Sequence, residues 1–226
     1  VKPTTTVAET AAPDGQKFRL YHHDGSFFLY MGQRQIMCTR KTHSEKKLAE
    51  IGCSFSKPRR RQRVLIGGLG LGFSLRRALE VTGPEATCEV AELLPEIIRW
   101  NHELVDGRND DILTDRRTSI YQGDVHDRIR QAADKGPKYD SILLDVDDGP
   151  DALIQPRNSR IYNRWGLNLL KQAISPGGRI AFWTAAAEPE LLRNLRGSGF
   201  RAEEFPVARY AGAKQKRHRI YLAEAR

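Results

Sequence analysis

Apolar and polar positions change period several times along the chain, and each change marks an element. Between residues 17 and 39 they alternate in twos: KFRLYHH, a turn at Asp24-Gly25, SFFLYM, a second turn around Gly32, then RQIMCTR. That alternation, broken by turn residues, predicts a small antiparallel β meander. From Thr42 the stretch THSEKKLAEIGC reads as a short helix capped by Ser44, apolar at Leu48 and Ile51, and stopped by Gly52. After a basic linker, strands are expected near 63 to 67, 87 to 92, 118 to 122, 139 to 145, 178 to 184, 200 to 207 and 217 to 223. Helices are expected between them, near 72 to 82, 95 to 104, 125 to 134, 163 to 173 and 188 to 197. The strands VLI, SILLD and RIAFW are apolar at consecutive positions, as strands covered on both faces must be. The pattern therefore predicts an α/β fold: a doubly wound, mostly parallel seven-stranded sheet behind an N-terminal antiparallel β meander. Its last two strands follow without a long helix, so they are expected to be antiparallel. Three segments result: a leader at 1 to 16, the meander and helix at 17 to 56, and the main domain at 57 to 226.

Composition narrows the class. With 226 residues, 39% hydrophobic and 29% charged, the chain suits one main domain, and no apolar run approaches the roughly 18 residues of a membrane span. The leader, VKPTTTVAETAAPDGQ, lacks the apolar centre of a signal peptide and reads as mobile. It opens on Val1 rather than Met, as a trimmed chain would. Cys38, Cys53 and Cys88 stand in no paired spacing, which suits buried thiols in a reducing compartment better than a zinc site. A cytoplasmic location is expected. Much of the net charge of +9 lies in KPRRRQR (57 to 63) and KQKRHR (214 to 219). Such runs hold phosphates or simply flank strands in solvent, so nucleic acid is a secondary partner class.

Candidate chemistry gathers at the C-terminal ends of the parallel strands, where doubly wound sheets bind ligands. Gly67, Gly68, Gly70 and Gly72 form the first strand-to-helix corner, where missing side chains let a ligand approach the backbone. Glu92 ends the next strand, placed to accept from a ribose diol, with Leu93 and Leu94 beside it to wall a purine. Gly123 and Asp124 follow the third strand; Asp124 suits an adenine amine or the cap of the next helix. The glycines do not follow a dinucleotide pattern cleanly, and a nucleoside sulfonium such as S-adenosylmethionine fits better. Beyond the fourth strand, Asp145, Asp147, Asp148 and Asp151 repel one another unless a cation offsets them. No His or Cys spacing there suggests a transition metal, so an organic cation is expected and no metal. Asp145 is placed to take a proton from an amine nucleophile. His22, His23, His102 and His126 show no ligand spacing, and Trp100, Trp165 and Trp183 read as packing residues.

These residues give the chain its resemblance to the spermidine synthase (polyamine aminopropyltransferase) family, over roughly residues 26 to 223. It rests on GQRQIMCTRKTHSE, VLIGGLGLG, AEL, GD at 123 to 124, and LDVDDGP. The resemblance implies a Rossmann-like class I methyltransferase fold, with S-adenosylmethionine or its decarboxylated form as co-substrate and a small amine as acceptor. By it, Glu92 holds the ribose, Asp124 the adenine amine, Asp145 is the base, Asp148 anchors a substrate amine, and Tyr210 stands in the amine site. A homodimer is a further implication. The chain also departs from the family. Gly70 replaces the loop aspartate that grips the aminopropyl amine, His43 stands for an amine-site tyrosine, and WTAAAEP replaces the glutamine and acid after strand five. A branch with similar GLG and LDVD motifs transfers methyl groups, so aminopropyl and methyl transfer both stay open. A nucleic-acid-binding module without catalysis is the third reading.

Overall fold

The structure, a computed structural model, describes residues 3–12, 14–55, 59–105, 109–210, 212–213 and 215–225. Lys57, Pro58 and Lys214 of the two basic runs, and the expected domain break at 57, lie outside them. A first antiparallel sheet takes its strands in chain order: β1 (Thr5–Ala11), β2 (Lys17–His23), β3 (Ser26–Met31) and β4 (Arg34–Cys38). The meander is present, but the expected leader is not loose. Residues 5 to 11 pair with β2 from Thr5 opposite His22 to Ala11 opposite Lys17, satisfying backbone groups that side-chain periodicity could not foretell.

Helix α1 (His43–Cys53) leads from the meander into the main sheet. Two details of its expected ends are corrected. Thr42 occupies the cap without a side-chain bond, because the Ser44 hydroxyl instead donates to Glu45 Oε2 at 2.7 Å. Gly52 is not a stop but a contact point: a Cβ there would lie 2.2 Å from Leu143 Cδ2 and 3.1 Å from Ala181 Cβ. Glycine lets α1 lie directly on the sheet. Gly52→Ala should therefore cost about 1 to 3 kcal/mol by overpacking, read as a lower urea midpoint at unchanged slope.

The main sheet is built from β5 (Arg63–Gly67), α2 (Phe73–Val81), β6 (Thr87–Glu92), α3 (Pro95–Glu103), α4 (Asp110–Leu113), β7 (Thr118–Gln122), α5 (Val125–Asp134) and β8 (Tyr139–Leu144). A short 3₁₀ turn (Pro156–Asn158) follows, then α6 (Ser159–Tyr162), α7 (Arg164–Ala173), β9 (Ile174–Thr184), α8 (Pro189–Gly197), β10 (Arg201–Val207) and β11 (His218–Glu224). Strand order is β10-β11-β9-β8-β5-β6-β7, with β11 antiparallel to both neighbours and the remaining pairs parallel. The doubly wound, mostly parallel seven-stranded sheet with an antiparallel pair at its edge is thus present. β9 begins four residues early, because its pairing with β8 resumes across an irregularity between Tyr139 and Ser141 that takes in the Pro-Gly-Gly expected as a turn. The short α4 and α6 had no periodic signal to announce them.

Strand alternation splits the core. Val64 and Ile66 point to the face covered by α1, α2, α3 and the meander; Leu65 points to the face covered by α5, α7 and α8. Phe18, Leu20, Phe27 and Leu29 of the meander belong to the first of these cores, so the small sheet is packed onto the large one. Cys38, Cys53 and Cys88 are buried and free. Burial pushes the Cys53 thiol up to about 12 and Cys88 up to about 11, leaving both protonated at neutral pH. Among the described residues no helix is long and apolar enough to cross a membrane.

Candidate active site

The parallel order reverses between β5 and β8, and the C-terminal ends of these strands open a crevice there. A cavity of about 990 Å³, counting the space at its open mouth, lies in it. Its floor is the glycine loop, β6 and the acidic run; its roof is Phe18, Leu29, Ile36 and Met37 of the meander.

The four glycines divide in two. Gly68 and Gly70 border the cavity, with φ of 85° and 52°, conformations that a side chain would strain. A Cβ at Gly68 would sit 2.9 Å from the Asp145 carbonyl, and one at Gly70 would sit 2.8 Å from Met37 Cε. Gly67 and Gly72 are packing positions instead, against Val125 and Asn109 respectively. Asn101 and Asn109 hold the loop from behind, their amides donating to the carbonyls of Gly70 at 2.8 Å and Leu71 at 3.0 Å.

Glu92 sits at the end of β6, 8% exposed, and borders the cavity. One oxygen accepts from the Leu69 amide of the glycine loop and the other from Leu94, both at 2.9 Å. Burial raises its pKa, against the pull of these backbone donors. The amides of Leu93 and Gly70 also act on this carboxylate, which ties it closely to the glycine loop. Leu93 and Leu94 flank it on the wall as expected. Gly123 borders the same end, its amide donating to the Glu92 carbonyl at 2.8 Å. Asp124 is there too, but it is not a free acceptor. Its Oδ1 caps α5 through the His126 amide at 2.9 Å, and its Oδ2 meets Arg160 at 2.5 Å and Arg157 at 3.3 Å.

At the other end, Asp145 follows β8 and is partly buried, with the Ser74 hydroxyl 3.3 Å from Oδ2. Desolvation, then the nearby charge of Glu45, push its carboxyl up to about 7. The acids after it serve different ends. Asp147 is buried and accepts from the Ile154 amide at 2.6 Å, the Asn158 amide at 3.0 Å and the Tyr162 hydroxyl at 3.0 Å, which fixes the loop. Asp148 borders the cavity but is ion-paired with Arg34 at the start of β4, so the anchor expected for a substrate amine already holds a protein cation. Asp151 is exposed. Tyr210 is 52% exposed and outside the cavity wall, and His43 borders a different surface cleft. Neither is brought into the site: the turn after β10 carries Tyr210 outward, and α1 turns Glu45 rather than His43 inward.

Glu45 and Trp183 were not anticipated. Glu45 is 6% exposed, and Trp183, read as packing, walls the cavity edge-on to His218 with ring centroids 4.7 Å apart. Trp165 is exposed at 52%, stacked on His126, while Trp100 is a core residue. Among the described residues no three His, Cys, Asp or Glu side chains are grouped to hold a metal ion. Among the described residues of the basic runs, Arg59 pairs with Asp140, Arg60 and Arg61 with Glu85, and Arg219 with Glu204.

No protein-family model matches the chain. Over 163 residues it is 27% identical to a polyamine aminopropyltransferase of Corynebacterium efficiens, covering 70% of this chain and 29% of that protein. Over 141 residues it is 27% identical to polyamine aminopropyltransferase 1 of Hyperthermus butylicus, covering 61% and 46%. The chain thus spans less than half the length of these curated relatives. Among solved structures, a spermidine synthase in complex with the transition-state analogue AdoDATO superposes with a TM-score of 0.72 at 15% identity, over 97% of this chain and 72% of that one. The Thermotoga maritima spermidine synthase gives 0.70 at 14% identity over the same shares of the two chains, 97% and 72%. Human methyltransferase-like protein 13 in complex with SAH gives 0.55 at 17%, over 81% and 78%. The fold is the class I methyltransferase-like fold of the spermidine synthases. In sequence the chain is similar to polyamine aminopropyltransferases, and in fold to the spermidine synthases.

Proposed function

We propose that the chain is a transferase that moves an alkyl group, aminopropyl in the first reading, from an S-adenosylmethionine-type sulfonium to an amine. One observation carries this: a single cavity runs from Glu92, tied to a bare glycine loop, to a carboxyl at Asp145 that titrates near neutrality. In this reading Glu92 receives the ribose hydroxyls, Leu93 walls the purine, and Asp124 and Gly123 meet its edge. Asp145 takes the proton that the amine must shed. The freed nitrogen pair forms the new bond to carbon as the carbon–sulfur pair returns to sulfur, leaving a neutral thioether. The protein supplies alignment, exclusion of water and a base matched to the working pH. The partial sequence match to aminopropyltransferases and the acidic lining favour a cationic acceptor.

Methyl transfer is the second reading, and Gly70 favours it. The thioether of Met37 stands where a loop carboxylate would hold the donor's amine, with its sulfur 3.2 Å from the Leu71 amide. Calorimetry with decarboxylated and ordinary S-adenosylmethionine separates the two readings. Tighter binding of the decarboxylated form is expected, binding of the ordinary form alone would leave methyl transfer, and binding of neither would end both.

A further inference from the structure

The ion pair of Arg34 with Asp148 bears on which amine the cavity accepts, an inference that rests on the transferase reading. A diamine has two cationic ends and needs two anionic places, one at the reacting nitrogen and one beyond. Asp145 and Glu45 stand at the first place, bordering the cavity, and neither forms a salt bridge among the described residues. Arg209 exerts only a distant attraction on Glu45. The acids further along are taken. Asp147 is saturated by three donors inside the loop, and Asp148 is held by the Arg34 guanidinium. Arg34 opens β4, so a second cation reaching Asp148 would meet a like charge. Trp183, whose buried indole N–H has no hydrogen-bond partner among the described residues, borders the same cavity. A buried donor left unsatisfied in a cavity that two carboxyls also border is consistent with a place for a ligand.

We propose that Arg34 closes the distal cationic subsite by pairing with Asp148, so that the acceptor is a monoamine whose one ammonium lies between Glu45 and Asp145. Glu45 acts as the anchor and Asp145 as the base. Burial raises both carboxyls, and a cation bound beside them favours their ionised forms.

The test follows release of the thioether nucleoside, with decarboxylated and ordinary S-adenosylmethionine each supplied as donor. n-Butylamine and 1,4-diaminobutane, matched in chain length, serve as acceptors. Wild type should give a kcat/KM at least tenfold higher for the monoamine, and Arg34→Ala should shift that ratio at least tenfold toward the diamine. Arg34→Gln, which keeps bulk without charge, should shift it in the same direction, and Arg34→Lys should keep the wild-type preference. A wild type that prefers the diamine, or an unchanged ratio in both neutral variants, overturns the proposal and leaves the transferase reading standing. Absence of thioether with either amine and either donor overturns the transferase reading, and this proposal falls with it.

Discussion

Asp145→Asn should lower kcat by about 10²- to 10⁴-fold, the range general-base removal commonly costs, while donor affinity stays within a few fold of wild type. The pH profile gives a second readout. With the carboxyl near 7, wild-type rates should rise through that pH as Asp145 ionises, and the asparagine variant should lack this limb. Stability should move the opposite way. The folded chain binds this proton more tightly than an unfolded one, whose carboxyl keeps its ordinary value of 3.8. Stability from this group is therefore present at low pH and falls as pH rises from about 4 through 7. Asparagine removes that cost. The variant should be more stable than wild type at pH 8 and no more stable at pH 4, measured by urea denaturation. A variant equally active at pH 8, or less stable there, would remove Asp145 from the role of base.

Glu92→Ala should abolish nucleoside binding, raising Kd at least a hundredfold, and should also unfold more readily. Deleting the carboxylate strands the buried amides of Leu69 and Leu94, at about 1 to 3 kcal/mol each, partly offset by no longer burying a charge. Glu92→Gln keeps an acceptor for one amide and should recover part of the stability without the affinity. Titration by calorimetry beside a thermal melt distinguishes the two effects. Retained nanomolar-to-micromolar binding in the alanine variant would show that the carboxylate only braces the loop.

Periodicity made the main sheet legible because its strands are apolar on both faces and its helices on one. VLI, SILLD and RIAFW could be placed without knowing their partners. β1 could not, since TTVAETA is exposed along most of its length and owes its existence to pairing with β2. That Glu92, Gly68, Gly70 and Asp145 border one cavity was legible because strand ends in a doubly wound sheet converge by topology. What the sequence hid was charge pairing across distance. Nothing local to LDVDDGP announces that Asp148 meets Arg34, 114 positions earlier, or that Asp124 meets Arg157 and Arg160. Tyr210 failed for a related reason, since a position matched by motif order carries no information about which way its loop turns. Glu45 was missed because a lone acid in a helix's first turn usually serves the helix dipole. Only the packing of α1 against the sheet turns it inward.

The cavity takes its floor from one sheet and its roof from another. The loops of the large sheet are tied together by Glu92 and the asparagine pair. The roof is largely a hairpin of about a dozen residues, 26 to 38, that carries Ile36, Met37 and Arg34. On the transferase reading, exchanging that hairpin should redirect acceptor choice, and because Met37 touches the glycine loop, donor affinity should move with it.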